Sequence, residues 1–255
     1  MPKMPVLFVG HGSPMNIVEK NRFTDSWREM AAMIPAPEAI LCVSAHWYSQ
    51  GLAISSTEHP ETIHDFYGFP PELYELRYPA PGAPNLAALV AEKLPGLVRI
   101  DPERGLDHGA WSILHFIYPE ADIPVCQLSV NASFSPLESY QVGQSLSFLR
   151  DEGVLILGSG DVVHNLNLVD WDMSGGYDWA DDFDSFIKES VVEGRHDRAV
   201  NYKQAGPAAE RAFYSRDHYD PLLYVLGATA GGEAVRVLND ERIMGALSMT
   251  SFVIG

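Results

Sequence analysis

Histidine is the residue type in this chain whose placement could do chemistry. Nine occur, and three of them stand just past short apolar runs. His11 directly follows Val6-Leu7-Phe8-Val9-Gly10, His46 directly follows the run 39–45, and His164 comes a few residues after Val154-Leu155-Ile156-Leu157. Neutral imidazoles suit zinc, iron, copper or nickel, and a set of them without a nearby cysteine pair argues against a structural zinc site. His11 lies in Gly10-His11-Gly12-Ser13-Pro14, where flanking glycines allow a sharp turn and remove side chains that would crowd an ion. The plainer alternatives are a solvent-facing turn for His11 and a satisfied core histidine for His46, in Ala45-His46-Trp47-Tyr48. His218, just ahead of Pro221-Leu222-Leu223-Tyr224, reads by itself as a residue at a helix N-terminus. His108 sits in Leu106-Asp107-His108-Gly109, where Asp107 either orients it by hydrogen bonding or caps the following helix. His64, in Thr62-Ile63-His64-Asp65-Phe66, could touch a substrate. His115 reads as helix packing, and His59 and His196 as surface residues.

The elements that must carry these side chains have an α/β signature. Val6–Val9, Ala39–Val43, Pro124–Leu128 and Val154–Leu157 are continuous apolar runs without polar alternation, which suits strands buried on both faces. Helical periodicity lies between them over 24–33, 84–94, 136–149 and 177–192. The expected architecture is a mainly parallel central sheet flanked by helices on both faces. Two further strands, 234–238 and 247–254, are expected as antiparallel or edge strands, the second because small polar and large apolar residues alternate along it. No linker interrupts the chain, so 1–255 reads as a single domain, with 57–82 an excursion rich in Pro, Tyr, Phe and Gly that covers a site. Ligands of open α/β sheets bind beyond the carboxyl ends of the strands, where His11, His46 and His164 fall.

Composition excludes several classes of partner. A formal net charge of -17 would repel nucleic-acid phosphates and anionic headgroups. No apolar stretch approaches the roughly 18 residues that span a membrane, and the first residues carry too short an apolar run for a signal peptide. A cytoplasmic protein is expected, with Cys42 and Cys126 as buried free thiols inside β-branched runs. Gly158-Ser159-Gly160 lacks the Gly-Lys-Ser/Thr that would make it a phosphate loop, and no G-x-S-x-G nucleophile elbow is present.

The segments PVLFVGHGSPMN, AILCVSAHWYS, TIHDFYGFP, YPAPGAP, GLDHGAWSIL, YPEADIPVCQLS, SGDVVHNL, DHYDPLLYVLGA and GALSMTSFVIG occur in this order. With them the chain resembles, over essentially its whole length, the DOPA 4,5-dioxygenase-type branch of the LigB-like class III extradiol ring-cleavage dioxygenases. The resemblance implies an α/β fold with a mononuclear metal site at one edge of the sheet. It implies His11, His46 and His218 as metal ligands, and His164 as an acid/base residue or a fourth ligand. His108 becomes a proton donor or hydrogen bonder on the substrate side, and Ser13, His64, Phe66 and Tyr67 become substrate-binding candidates. Protocatechuate-cleaving members resemble a site of two histidines and one carboxylate, whereas this chain offers a third histidine at His218.

The implied reaction opens a catechol, DOPA-like or related, with O₂ to give a muconic semialdehyde. Catechols and ground-state O₂ do not react directly because the step is spin-forbidden, so a redox metal is needed, and Fe(II) is the expected cofactor. Zn(II) could occupy the same site in purified protein. Two other readings compete with this one: a zinc-dependent hydrolase using the same histidines, and a non-enzymatic metal-binding adaptor on the same fold. A small aromatic diol and O₂ are the expected partners, with the chain a monomer or small homo-oligomer.

Overall fold

The computed structural model describes residues 3–255, so Met1 and Pro2 of the expected 1–255 domain lie outside the described residues. Ten strands form in chain order: β1 Val6–Gly10, β2 Ala39–Ser49, β3 Leu52–Ser55, β4 Val98–Asp101, β5 Val125–Asn131, β6 Val154–Gly160, β7 Val235–Leu238, β8 Arg242–Ile243, β9 Leu247–Ser248 and β10 Ser251–Ile254. Eight of them make one sheet in the order β4-β3-β5-β2-β6-β1-β10-β7. Its centre, β5-β2-β6-β1, is parallel throughout, which places the carboxyl ends of the buried apolar runs along one rim.

The sheet is buried on both sides because its strand residues alternate between two apolar layers. Val6 and Phe8 of β1 join one core cluster, and Leu7 and Val9 join the other. Helices α1 (Arg22–Ala31) and α4 (His108–Ile117) cover the Leu7 side, with Trp27 and Trp111 at its centre. Helices α3 (Pro84–Lys93), α5 (Pro136–Leu146), α6 (Asp178–Val192) and α8 (Asp220–Gly227) cover the Phe8 side. Short helices α2 (Pro71–Glu75) and α7 (His196–Val200) complete the set. Helices α1, α3, α5 and α6 each start or end within a few residues of the periodicity that predicts them. Cys42 and Cys126 are free and buried, as expected, and belong to opposite layers.

Two expectations change. The four-residue strands β3 and β4 are absent from the sequence reading, being too short and too Ser- and Arg-interrupted to stand out. The run 247–254 is two strands, because β9 leaves to pair with β8 while β10 pairs with both β1 and β7. Strand β10 is therefore internal, and β7 takes the edge. The small polar residues along this run do not face water. Ser248 Oγ and Thr250 Oγ1 donate to the buried Asp184 carboxylate at 2.5 and 2.8 Å, and Ser251 Oγ accepts from Gly10 N at 3.0 Å. Buried hydroxyls with fixed partners produce the same alternation as a solvent-facing strand. Among the described residues no helix is long and apolar enough to cross a membrane.

Candidate metal centre

Four rim segments deliver histidines to one place. His11 is the first residue past β1, and its backbone N–H still bonds the last carbonyl of β6, Gly160 O, at 3.2 Å. His46 lies inside β2 and not after it: the strand runs on to Ser49, and its parallel register with β5 shifts between Val43 and Tyr48. A shift of that kind re-aims side chains, and here it turns His46 toward the rim. His164 follows β6 and pairs its backbone with Phe213 and Leu247. His218 immediately precedes α8, whose first turn is pressed onto β6. A Cβ built on Gly160 would stand 2.1 Å from the His218 carbonyl oxygen. Gly160→Ala is accordingly expected to push this segment off the strand and cost about 1–3 kcal/mol, the range for overpacking a tight contact. Equilibrium denaturation checks it, and an unchanged midpoint would contradict the close approach.

The ring nitrogens of His11, His46 and His218 lie within 4.8 Å of one another, and those of His164 and His218 share a second such group with an Asp161 oxygen. His164 stacks on His218 with centroids 3.5 Å apart and planes 4° from parallel. Burial first, and then the neighbouring imidazoles, holds His11 and His218 well below the ordinary histidine range. Burial likewise lowers His164 to about 4 and lowers His108. These four rings are neutral at pH 7, the form that offers a lone pair to a metal.

Hydrogen bonds fix which nitrogen carries that lone pair. Ser159 Oγ donates to Gly109 O at 2.6 Å, so it accepts from His11 Nδ1–H at 2.9 Å. His46 Nδ1 faces Asp65 Oδ2 at 3.3 Å, and an ionised carboxylate can only accept. Both Nε2 atoms are then bare, yet they face each other at 3.1 Å. Two nitrogen lone pairs at that distance repel unless a cation lies between them. Ligands about 2.1 Å from one ion at right angles are about 3.0 Å apart, so the spacing fits a shared metal. Buried His218 Nε2 and Asp161 Oδ2 lack any hydrogen-bond partner, as lone pairs awaiting an ion would, while His218 Nδ1 faces Asp217 Oδ2 at 3.2 Å.

The remaining candidates divide. Phe66 is buried and packs edge-on to His108, with centroids 5.4 Å apart. His64 donates from Nε2 to Leu76 O at 3.0 Å and packs against Phe66, Tyr74 and Trp111, so it props the covering loop. Ser13 accepts from Met15 N and caps a single turn at 14–17. Tyr67 is 92% exposed and stands outside the cluster. Asp107 does not orient His108. Its carboxylate takes bonds from Ser44, Ala110, Arg104 and Gln127 and fixes the start of α4.

Three contributors escaped the sequence reading. Asp65 is the partner of His108, accepting from its backbone N at 2.9 Å and its Nδ1 at 3.0 Å. The signal for it in the sequence is an acid beside His64 within the covering loop. Ser159 orients His11, and the flanking Gly158 and Gly160 leave room for the close approach of α8. Asp161 Oδ1 accepts from Gly12 N at 3.1 Å, while Oδ2 lies 3.6 Å from His11 Nε2. Burial raises its pKa well above the carboxylate range.

Residues 3–252 match the family described as the catalytic LigB subunit of aromatic ring-opening dioxygenase. The chain is 44% identical to 4,5-DOPA dioxygenase extradiol of Escherichia coli, over 99% of this chain and 95% of that protein. It is 37% identical to the protein of the same name from Beta vulgaris, over 96% of this chain and 94% of that one. The crystal structure of an uncharacterized Escherichia coli K12 protein superposes with a TM-score of 0.86 at 39% identity, covering 99% of this chain and 100% of the other. With the histidine cluster at the rim of the sheet and the match running through every strand that positions it, the chain belongs to the LigB family of aromatic ring-opening dioxygenases.

Proposed function

We propose that this protein is an Fe(II)-dependent extradiol dioxygenase that opens the ring of a DOPA-like catechol to a muconic semialdehyde, with His11, His46 and His218 as the metal's protein ligands. The observation that carries the reading is the pair of bare Nε2 atoms of His11 and His46, aimed at each other beside the unpartnered Nε2 of His218. When bound, Fe(II) supplies the electron transfer between catechol and O₂ that spin rules otherwise forbid.

The chain's own residues then have separable tasks. His164, neutral at pH 7, accepts a catechol hydroxyl proton and returns it later in the cycle. Its stacking on His218 and the backbone bond from its N–H to Ala212 O at 2.8 Å hold the ring in place without engaging it as a donor to protein. His108 keeps Nδ1–H on Asp65, which leaves Nε2 to meet a substrate oxygen, and Phe66 supplies an apolar wall beside it.

Two experiments test the reading. His11→Ala and His46→Ala are each expected to remove bound metal while circular dichroism stays that of the parent, and full occupancy in both would sink the assigned ligands. Anaerobic reconstitution with Fe(II), followed by a catechol panel under air, should consume O₂ and give products heavier than the catechol by both oxygen atoms. Inertness across the panel would overturn the activity.

A further inference from the structure

We propose that Asp65 is a positioning residue through which the covering loop 57–82 sets the tautomers of His46 and His108. The inference rests on the metal-centre reading for the importance of His46, but its geometry stands alone. One carboxylate serves both rings. Oδ1 accepts the backbone N–H and Nδ1–H of His108, and Oδ2 faces Nδ1 of His46. The two imidazoles also lie tilted against each other, with centroids 3.9 Å apart and planes at 50°. A histidine ring left to water favours the hydrogen on Nε2, which would put a proton where His46 must present a lone pair to the metal it shares with His11. An acceptor at Nδ1 reverses that preference.

The seat of Asp65 is decided by the loop and by α4 together. Ile63 N donates to Leu106 O at 2.7 Å, and Trp111 Nε1 donates to Ile63 O at 2.8 Å. Phe66, on the other side of Asp65, packs against His108 and Trp111. Asp65 is thus held between two residues that grip α4, with its side chain still 23% exposed. Displacement of the loop therefore reaches the metal ligand through a proton position, with no movement of β2.

The test reads tautomers and metal affinity, not turnover. Long-range ¹H–¹⁵N NMR of metal-free protein with labelled histidine, assigned against His46→Gln and His108→Gln, should show Nδ1–H on both rings in the parent, the Nε2 atoms of His11 and His46 drawing apart when no ion joins them. In Asp65→Asn one oxygen remains to accept, and the amide nitrogen cannot. At least one ring, expected to be His46, should switch to Nε2–H, and zinc affinity by chelator competition should fall 10- to 100-fold, the usual effect of removing a ligand's orienting partner. Retention of both Nδ1–H tautomers, or zinc affinity within about twofold of the parent, overturns the proposal. Asp65→Glu, which keeps the carboxylate, should recover the tautomers and most of the affinity. If it recovers neither, the loss belongs to a displaced loop and the proposal fails. Ring-opening activity enters none of these readouts, so failure of the dioxygenase reading would be distinguishable from failure of this one.

Discussion

His164→Ala is expected to retain iron and bind catechol while turnover falls roughly 10²- to 10⁴-fold, the range for losing a positioned proton-transfer group. His218→Ala, one ring away, is expected to lose the metal. The two imidazoles lie face to face, so residue type and proximity do not separate them. Their neighbours do. His218 shares a group of mutually close ring nitrogens with His11 and His46, whereas His164 is grouped only with His218 and Asp161. A ligand holds the ion in every state, while an acid/base group contributes mainly to the transition state. Gln at position 164 should not rescue turnover, because an amide can hydrogen bond but cannot carry the proton. Metal content and catechol affinity are to be measured anaerobically on both variants. Loss of iron from His164→Ala as complete as from His218→Ala would make His164 a ligand and move the base to His108 or a bound water.

Exchange of the metal should produce an effect at least as large. Protein loaded with zinc is expected to bind catechol and consume no O₂, and chelation followed by Fe(II) is expected to restore ring opening. The three proposed ligands are neutral imidazoles, a donor set that accepts either ion, so the cage itself does not reject zinc. Zn²⁺ has no accessible redox change and can pass no electron. Metal analysis and an oxygen electrode on the same samples decide the matter. Equal rates for the zinc and iron forms would refute an electron-transfer role and favour the hydrolase reading.

The parts of the fold legible in the sequence are those whose physics is local. Strands β1, β2, β5 and β6 announce themselves because burial on both faces leaves no room for polar alternation. His11 and His164 are legible for the same reason, since each follows the end of such a run. His46 is misplaced by a few residues because the register shift in β2 depends on its partner strand. Asp65, Ser159 and Asp161 acquire their roles only from contacts distant in sequence. Asp65 meets His108 across 43 positions, and Ser159 meets His11 across 148. Ser248, Thr250 and Ser251 mislead because a hydroxyl bonded inside a core has the same composition signature as one facing water.

The pairing of β1 with β10, Val6 against Ile254 and Phe8 against Phe252, has a consequence for folding. The strand that leads into His11 and its antiparallel neighbour are brought together across 241 positions, at the contact of Gly10 with Ser251. Gly10 N is bonded by Ser251, and a Cβ at Gly10 would strike the Met249 backbone at 2.6 Å, so the floor beneath the His11 turn comes from the far end of the chain. Contacts of such sequence separation form late. The chain can therefore assemble β2, β5 and β6 with their helices while the histidine cage is still open on one side. The floor beneath the His11 turn is complete only once β10 has docked on β1.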